Sequence, residues 1–164
     1  MRALARIVRL LWAASTGRRT VVDELKHDPA IADDGLIGFA VIGTVVVGLT
    51  TLDLLPTLLA PVLAPPAVLL AAFVLRLVTR IARNPATLAE TTATITLTSL
   101  PLLLIPIPTL GPPVGITAWL LAGIFMLQRV TLARLDVAAV ATLLSHALTV
   151  GTVIGAAFAI DAFI

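Results

Sequence analysis

Apolar residues in this chain come in long runs separated by short polar breaks, and the breaks define its elements. Residues 35–52, about 65–82, 86–105, 114–130 and 137–160 each form an apolar run of helical length. Runs of that length and purity read as membrane-spanning helices rather than as core helices of a soluble domain. Between the first two runs lies "LLPTLLAPVLAPP" (54–66), apolar but rich in proline, which predicts an interfacial turn or short broken helix. The second span then begins near Pro65 or Pro66, because proline fits the first helical turn. "TSLPLLLIPIPTLGPP" (98–113) is a second proline-rich stretch. Pro101 is expected to kink the far end of the third span, and Pro106, Pro108, Pro112 and Pro113 to form a short connection, with Pro113 also suited to open the fourth span.

The first 34 residues differ in pattern. "MRALARIVRLLWAAS" places Leu4, Ile7, Val8 and Leu11 on one helical face and Arg2, Arg6 and Arg9 on another, with Trp12 near the boundary. This predicts an amphipathic helix lying in the membrane interface, or one packed on the protein's own cytosolic face. Arg6 and Arg9 leave too short an apolar core for a signal peptide, and the acidic segment that follows argues against an organelle presequence. "TVVDELKHDP" predicts a short helix with Thr20 as N-cap and Asp23 completing a capping box, ended by Pro29. His27 reads as a solvated surface histidine.

Composition and charge sharpen this picture. The chain is 59% hydrophobic and 12% charged, with a mean hydropathy of +1.10, whereas soluble domains carry about a quarter charged residues. With the N-terminus in the cytosol, residues 1–34, the 76–83 turn and the 129–134 turn hold all 11 Lys and Arg, and the opposite segments hold none. That is the positive-inside distribution. The expectation is an all-α integral membrane protein of the cell membrane, with five transmembrane helices, a cytosolic N-terminus and an outer C-terminus. Its organisation divides into a cytosolic and interfacial segment (1–34) and a five-helix domain (35–164).

Candidate chemistry is sparse. The chain has no cysteine, two histidines (His27 and His146) and no HExxH, P-loop or GxSxG spacing. A non-enzymatic protein with no cofactor or metal is expected. No Lys/Arg run resembles a nucleic-acid footprint. Arg76, Arg80 and Arg83 recur at helical spacing and, with Arg2, Arg6 and Arg9, are candidates for anionic lipid headgroups. Thr87, Thr91, Thr94 and Thr98 share a face of the third span near Glu90, while His146 lies in the fifth. Two readings stay open: a polar path between these helices, or local satisfaction, with Glu90 paired to Arg83 or Arg80 and the threonines bonding their own backbone. Ala147, Gly151, Gly155 and Ala159 form a small-residue stripe suited to close helix packing, with Ala40, Thr44 and Gly48 a weaker one on the first span. The stripes serve either intramolecular packing of these two helices or a homo-oligomer.

Several segments together resemble the Yip (Ypt-interacting protein) family in its small prokaryotic form. They are Asp28–Pro29 before the first span, a basic turn after the second, "SLPLLLIPIPTLG" (Ser99 to Gly111), the Trp-bearing "GITAWLLAGIFMLQRV", and "ARLDVAAVATLL" at the entry to the last helix. The resemblance implies five spans and a role in membrane organisation or as an accessory subunit, through lipids, self-association or a membrane partner. It does not extend to GTPase binding, because the family's tyrosine-containing signature is impossible in a chain without tyrosine. A small transporter or channel subunit using Glu90, Thr94, Thr98 and His146 is the alternative.

Overall fold

A computed structural model describes residues 2–52 and 54–161, with side chains placed for 4–52 and 54–152. The described residues are helices and connecting turns, with no strand among them. In order they are α1 (Arg2–Ser15), α2 (Arg19–His27), α3 (Ile31–Thr51), α4 (Leu54–Ile81), α5 (Leu88–Thr96), a 3₁₀ helix (Leu100–Leu104), α6 (Gly111–Thr131) and α7 (Leu135–Asp161). Four of these, α3, α4, α6 and α7, are long and apolar enough to cross a membrane.

Packed pairs of the long helices, α3 with α4, α4 with α7 and α6 with α7, run antiparallel, so α4 and α6 point the same way and α3 and α7 the other. Gly48 of α3 faces Thr57 of α4, and Gly123 of α6 faces Thr142 and His146 of α7. Val78 and Ile81 of α4 line one groove with Val137 and Val140 of α7. Inside this frame α5 packs against α3 and α4, and the 3₁₀ helix runs along the first half of α6. Every residue from Thr91 to Ser99 is buried. Outward-facing positions such as Ile37, Val41, Val45 and Leu49 on α3, and Leu143 and Leu144 on α7, are apolar. An apolar exterior around a core that holds threonines, serines and a histidine is an arrangement suited to lipid as solvent.

Local chemistry departs from the sequence pattern at several points. α4 runs unbroken from Leu54 through Pro61, Pro65 and Pro66, so 54–66 is helix rather than an interfacial turn. Pro61 and Pro65 line the seam with Leu36, Ala40 and Thr44 of α3; a neighbouring helix tolerates proline in a span that water would break. Thr20 does not cap α2: Gly17 turns the chain at φ 69°, Arg18 is the N-cap without a side-chain bond, and Thr20 falls inside the helix. The capping box forms instead at α5. There the Thr87 Oγ1 accepts from the Glu90 N–H at 3.2 Å, and the Glu90 carboxylate accepts from the Thr87 N–H at 2.7 Å. Thr87 is therefore an exposed cap and leaves the buried threonine row.

α1 is apolar over two faces. Ile7, Leu10, Leu11 and Ala14 are buried against the bundle, while Leu4, Val8 and Trp12 face outward. The predicted single face, which held Leu4 and Val8 together with Ile7 and Leu11, is thus divided. Arg6 bonds Asp28 at 2.7 Å and Asp34 at 2.9 Å, and Arg9 bonds Glu24 at 2.9 Å. The Asp28 hydrogen bond, with Asp34 beside it, raises the Arg6 pKa. These ion pairs are solvent-exposed and screened and contribute little, against about 1.5–3 kcal/mol for each buried Ile or Leu. Apolar burial docks α1, and the arginines set its register.

α3 approaches α5 through Gly35, where an added Cβ would collide with the Thr96 hydroxyl and press on Leu97; eight residues on, a Cβ at Gly43 would meet nothing within 4 Å. Gly35→Ala is expected to lower the thermal midpoint in detergent, by about 1–3 kcal/mol of stability. Gly43→Ala is expected to be neutral or to stabilise by up to about 1 kcal/mol through helix propensity. Equal midpoints for the two variants would contradict the packing.

Candidate functional site

The candidate site lies where α5 stops inside the bundle. Pro101 has no N–H to give to the Leu97 carbonyl, and its ring disfavours helical backbone at Leu100. The chain tightens accordingly, with Ser99 N–H donating to Thr96 and Leu102 N–H to Ser99. The last carbonyls of α5 are then left at the centre of an apolar structure, where an unpaired one costs several kcal/mol.

Side chains satisfy them. Trp119, 2% exposed on α6, donates its indole N–H to the Ile95 carbonyl at 3.1 Å. Ser99 Oγ donates to the Thr96 carbonyl at 2.6 Å, and Thr98 Oγ1 to Thr94 at 2.7 Å. Within α5, Thr94 Oγ1 donates to Glu90 at 2.8 Å and Thr96 Oγ1 to Thr92 at 2.9 Å. Each of these hydroxyls is buried and directed to its own chain.

The Trp119 ring packs on the His146 imidazole with centroids 4.0 Å apart, and Phe39 lies at 6.1 Å on the α3 side. His146 fits because its facing residue is Gly123, where a Cβ would stand 3.0 Å from both Cε1 and Nε2. His146 Nδ1 is 3.3 Å from Ser145 Oγ, while Ser145 Oγ also donates to the Thr142 carbonyl. His146 Nε2 and Thr142 Oγ1 are buried without a hydrogen-bond partner among the described residues. A neutral imidazole carries one donor and one acceptor, so the pair keeps hydrogen-bonding capacity that the described residues do not use.

The predicted residues are thus distributed rather than assembled. Thr94, Thr98 and His146 share the interior, with Trp119 between α5 and His146. Glu90 stands at the other end of α5 in its capping box, and no ion pair links it to Arg83 or Arg80 among the described residues. Arg76 and Arg80 lie exposed on the last turns of α4, whereas Arg83 sits past its end at φ 61°. Ala147 and Gly151 face outward, with nothing described within 4 Å of a Cβ at Gly151. Ala40, Thr44 and Gly48 on α3 pack on α4, so they are not paired with Ala147 and Gly151. The Arg2, Gly155 and Ala159 side chains lie outside those described. Among the described residues no group of His, Asp or Glu is placed to hold a metal ion.

The sequence marks Trp119 only as the tryptophan of a resembling segment, and although "TAWLLAG" places Gly123 one helical turn away, nothing local shows that the two serve one site. The Thr87–Glu90 capping box was legible as T-x-x-E. Comparisons with family profiles, curated proteins and solved structures find no match for the chain.

Trp119→Phe keeps an aromatic ring but removes the five-membered half of the indole together with its N–H, at a site that is buried. It is expected to cost about 1–3 kcal/mol, read as a lower thermal midpoint in detergent, because the Ile95 carbonyl keeps only the long 3.5 Å bond from Thr98 Oγ1. An unchanged midpoint would show that the carbonyl finds another donor.

Proposed function

We propose that the protein is a non-enzymatic, five-crossing membrane protein that organises the bilayer or scaffolds partners through self-association. The observation that carries this reading is the outward face of α7. Ala147 and Gly151 point away from the bundle among Leu143, Leu144 and Val150, leaving a small-residue surface to which a second copy can approach closely. The Leu4, Val8 and Trp12 stripe of α1 supplies a second apolar surface for lipid. Arg76, Arg80 and Arg83 suit anionic headgroups on the cytosolic side. This is the role that the Yip-type resemblance implies.

The fifth crossing in this reading is the segment 88–104. About 1.5 Å per residue in α5 and 2.0 Å in the 3₁₀ helix give, with the linking turn, a rise of about 28 Å, close to the hydrocarbon thickness of about 30 Å. The order of its contacts favours passage: Thr96 and Leu97 meet Gly35, Pro101 meets Gly115, and Leu104 meets Gly111. With five crossings, this leaves the N-terminus cytosolic and the C-terminus outside by the charge distribution.

One observation favours the second reading, a small transporter or channel subunit. Broken helices in transporters mark binding sites, and the unpartnered His146 Nε2 and Thr142 Oγ1 lie beside such a break. The bonding of the α5 threonines to their own backbone supports the scaffold instead.

Gly151→Leu separates the readings, because the added side chain enters open space and leaves the protomer's packing intact. The mass of the purified protein is measured in detergent and in nanodiscs containing anionic lipid. An oligomer in the native protein, dissociated by Gly151→Leu at an unchanged thermal midpoint, is expected. A monomer under both conditions would remove self-association and move attention to His146.

A further inference from the structure

α2 and the end of α6 enclose a groove of about 420 Å³ lined by Arg19, Val22, Asp23, Lys26, Arg129 and Leu132. Arg19, Asp23 and Lys26 stand at i, i+4 and i+7 of α2, on one face. Arg129 enters from the last turn of α6, and its guanidinium lies against Gly17, where a Cβ would be 3.2 Å from Nη1. The positive φ of Gly17 and its bare Cα let the α1–α2 turn carry this arginine.

Three cations against one carboxylate leave the groove with a formal charge of +2. None of the three makes an ion pair among the described residues, whereas Arg6, Arg9 and Arg134 each do. Apolar surface adjoins the charge: Val22 forms part of the wall, and Leu132, at the left-handed C-cap of α6 with φ 54°, is 83% exposed. In water, an exposed leucine in a left-handed conformation is unfavourable on both counts. Beside the turn joining two candidate spans, it is placed to meet an acyl chain.

We propose that this groove binds the phosphate of an anionic phospholipid, with Arg129, Arg19 and Lys26 on the headgroup and Leu132 beside its glycerol and acyl carbons. Guanidinium and ammonium donors match phosphate oxygens, and Asp23 favours headgroups that also carry a donor, such as glycerol hydroxyls. The site rests on this end of the bundle lying at a membrane surface, and it is independent of self-association.

The test is native mass spectrometry of the full chain in detergent, with phosphatidylglycerol or phosphatidylcholine added and the protomer peak analysed. Arg129→Gln and Lys26→Gln are compared with Arg134→Gln, which removes the same charge from the neighbouring turn outside the groove. The expected result is one retained phosphatidylglycerol, weakened about fivefold by each groove substitution, with Arg134→Gln close to native and phosphatidylcholine binding unchanged. Lys26 is exposed, so its variant reports binding even if Arg129→Gln disturbs the turn. Equal losses from Arg134→Gln and the groove variants would mean diffuse attraction and overturn the site. Displacement of the lipid by millimolar inorganic phosphate without preference for either lipid would assign the groove to free phosphate and overturn the lipid assignment. Because binding is read on the protomer, loss of the oligomer leaves this result unaffected.

Discussion

Stopping a helix inside an apolar bundle leaves backbone carbonyls that neither water nor lipid can satisfy, and the centre of this molecule is organised by that constraint. α5 ends at Thr96 because Pro101 cannot continue the hydrogen-bond ladder. The carbonyls it leaves are taken by the Trp119 indole, by Ser99 and by Thr98. Trp119 is thereby held between α5 and α7, which brings its ring onto His146 in a tilted contact. His146 in turn requires a facing residue without a Cβ, and α6 supplies Gly123. α3 closes the other side through Gly35 and Phe39. Proline, tryptophan, histidine and two glycines from different helices thus depend on one another through a single unfinished helix end.

How much of this the sequence made legible depends on the range of the interaction. The apolar runs marked α3, α6 and α7 within a few residues, because lipid-facing length is a local property. The proline-rich stretch at 54–66 misled, since the neighbour that shelters Pro61 and Pro65 is α3, and a pattern along one segment does not show its neighbour. The same limit applies to α1. Its arginines sit at a spacing suited to headgroups, yet Asp28, Asp34 and Glu24 hold Arg6 and Arg9 from outside the helix. The threonine row was visible as a row, but its hydroxyls are directed back into α5. The link from Trp119 to Ile95 spans 24 residues and carries no local signature.

Two kinds of surface follow from this core. Because the interior is closed by side-chain contacts, the polar atoms it holds are largely committed to the chain; among the described residues His146 Nε2 and Thr142 Oγ1, with Ser15 Oγ at the end of α1, are buried without a partner. The outer face of α7 and the outer stripe of α1 are uncommitted, one suited by small residues to another helix and the other by Leu4, Val8 and Trp12 to lipid. Among the described residues Arg6, Arg9 and Arg134 are in ion pairs, the first two setting the register of α1, whereas Arg19, Lys26 and Arg129 are in none. A closed interior with apolar outer faces and a basic end is what the proposed role as an organiser of membrane rests on.

The central claim is that residues 88–104 cross the membrane in two pieces joined at the Trp119 cap. Side-specific labelling tests it most directly, because the absence of cysteine makes single-cysteine variants unambiguous. Thr20→Cys in α2 and Thr109→Cys between the 3₁₀ helix and α6 are both exposed positions. Each is treated with a membrane-impermeant maleimide in intact and in permeabilised cells. The account predicts opposite sides, with Cys at 109 labelled in intact cells and Cys at 20 only after permeabilisation. Labelling of both from the same side would make the broken segment re-entrant and contradict the five-crossing arrangement.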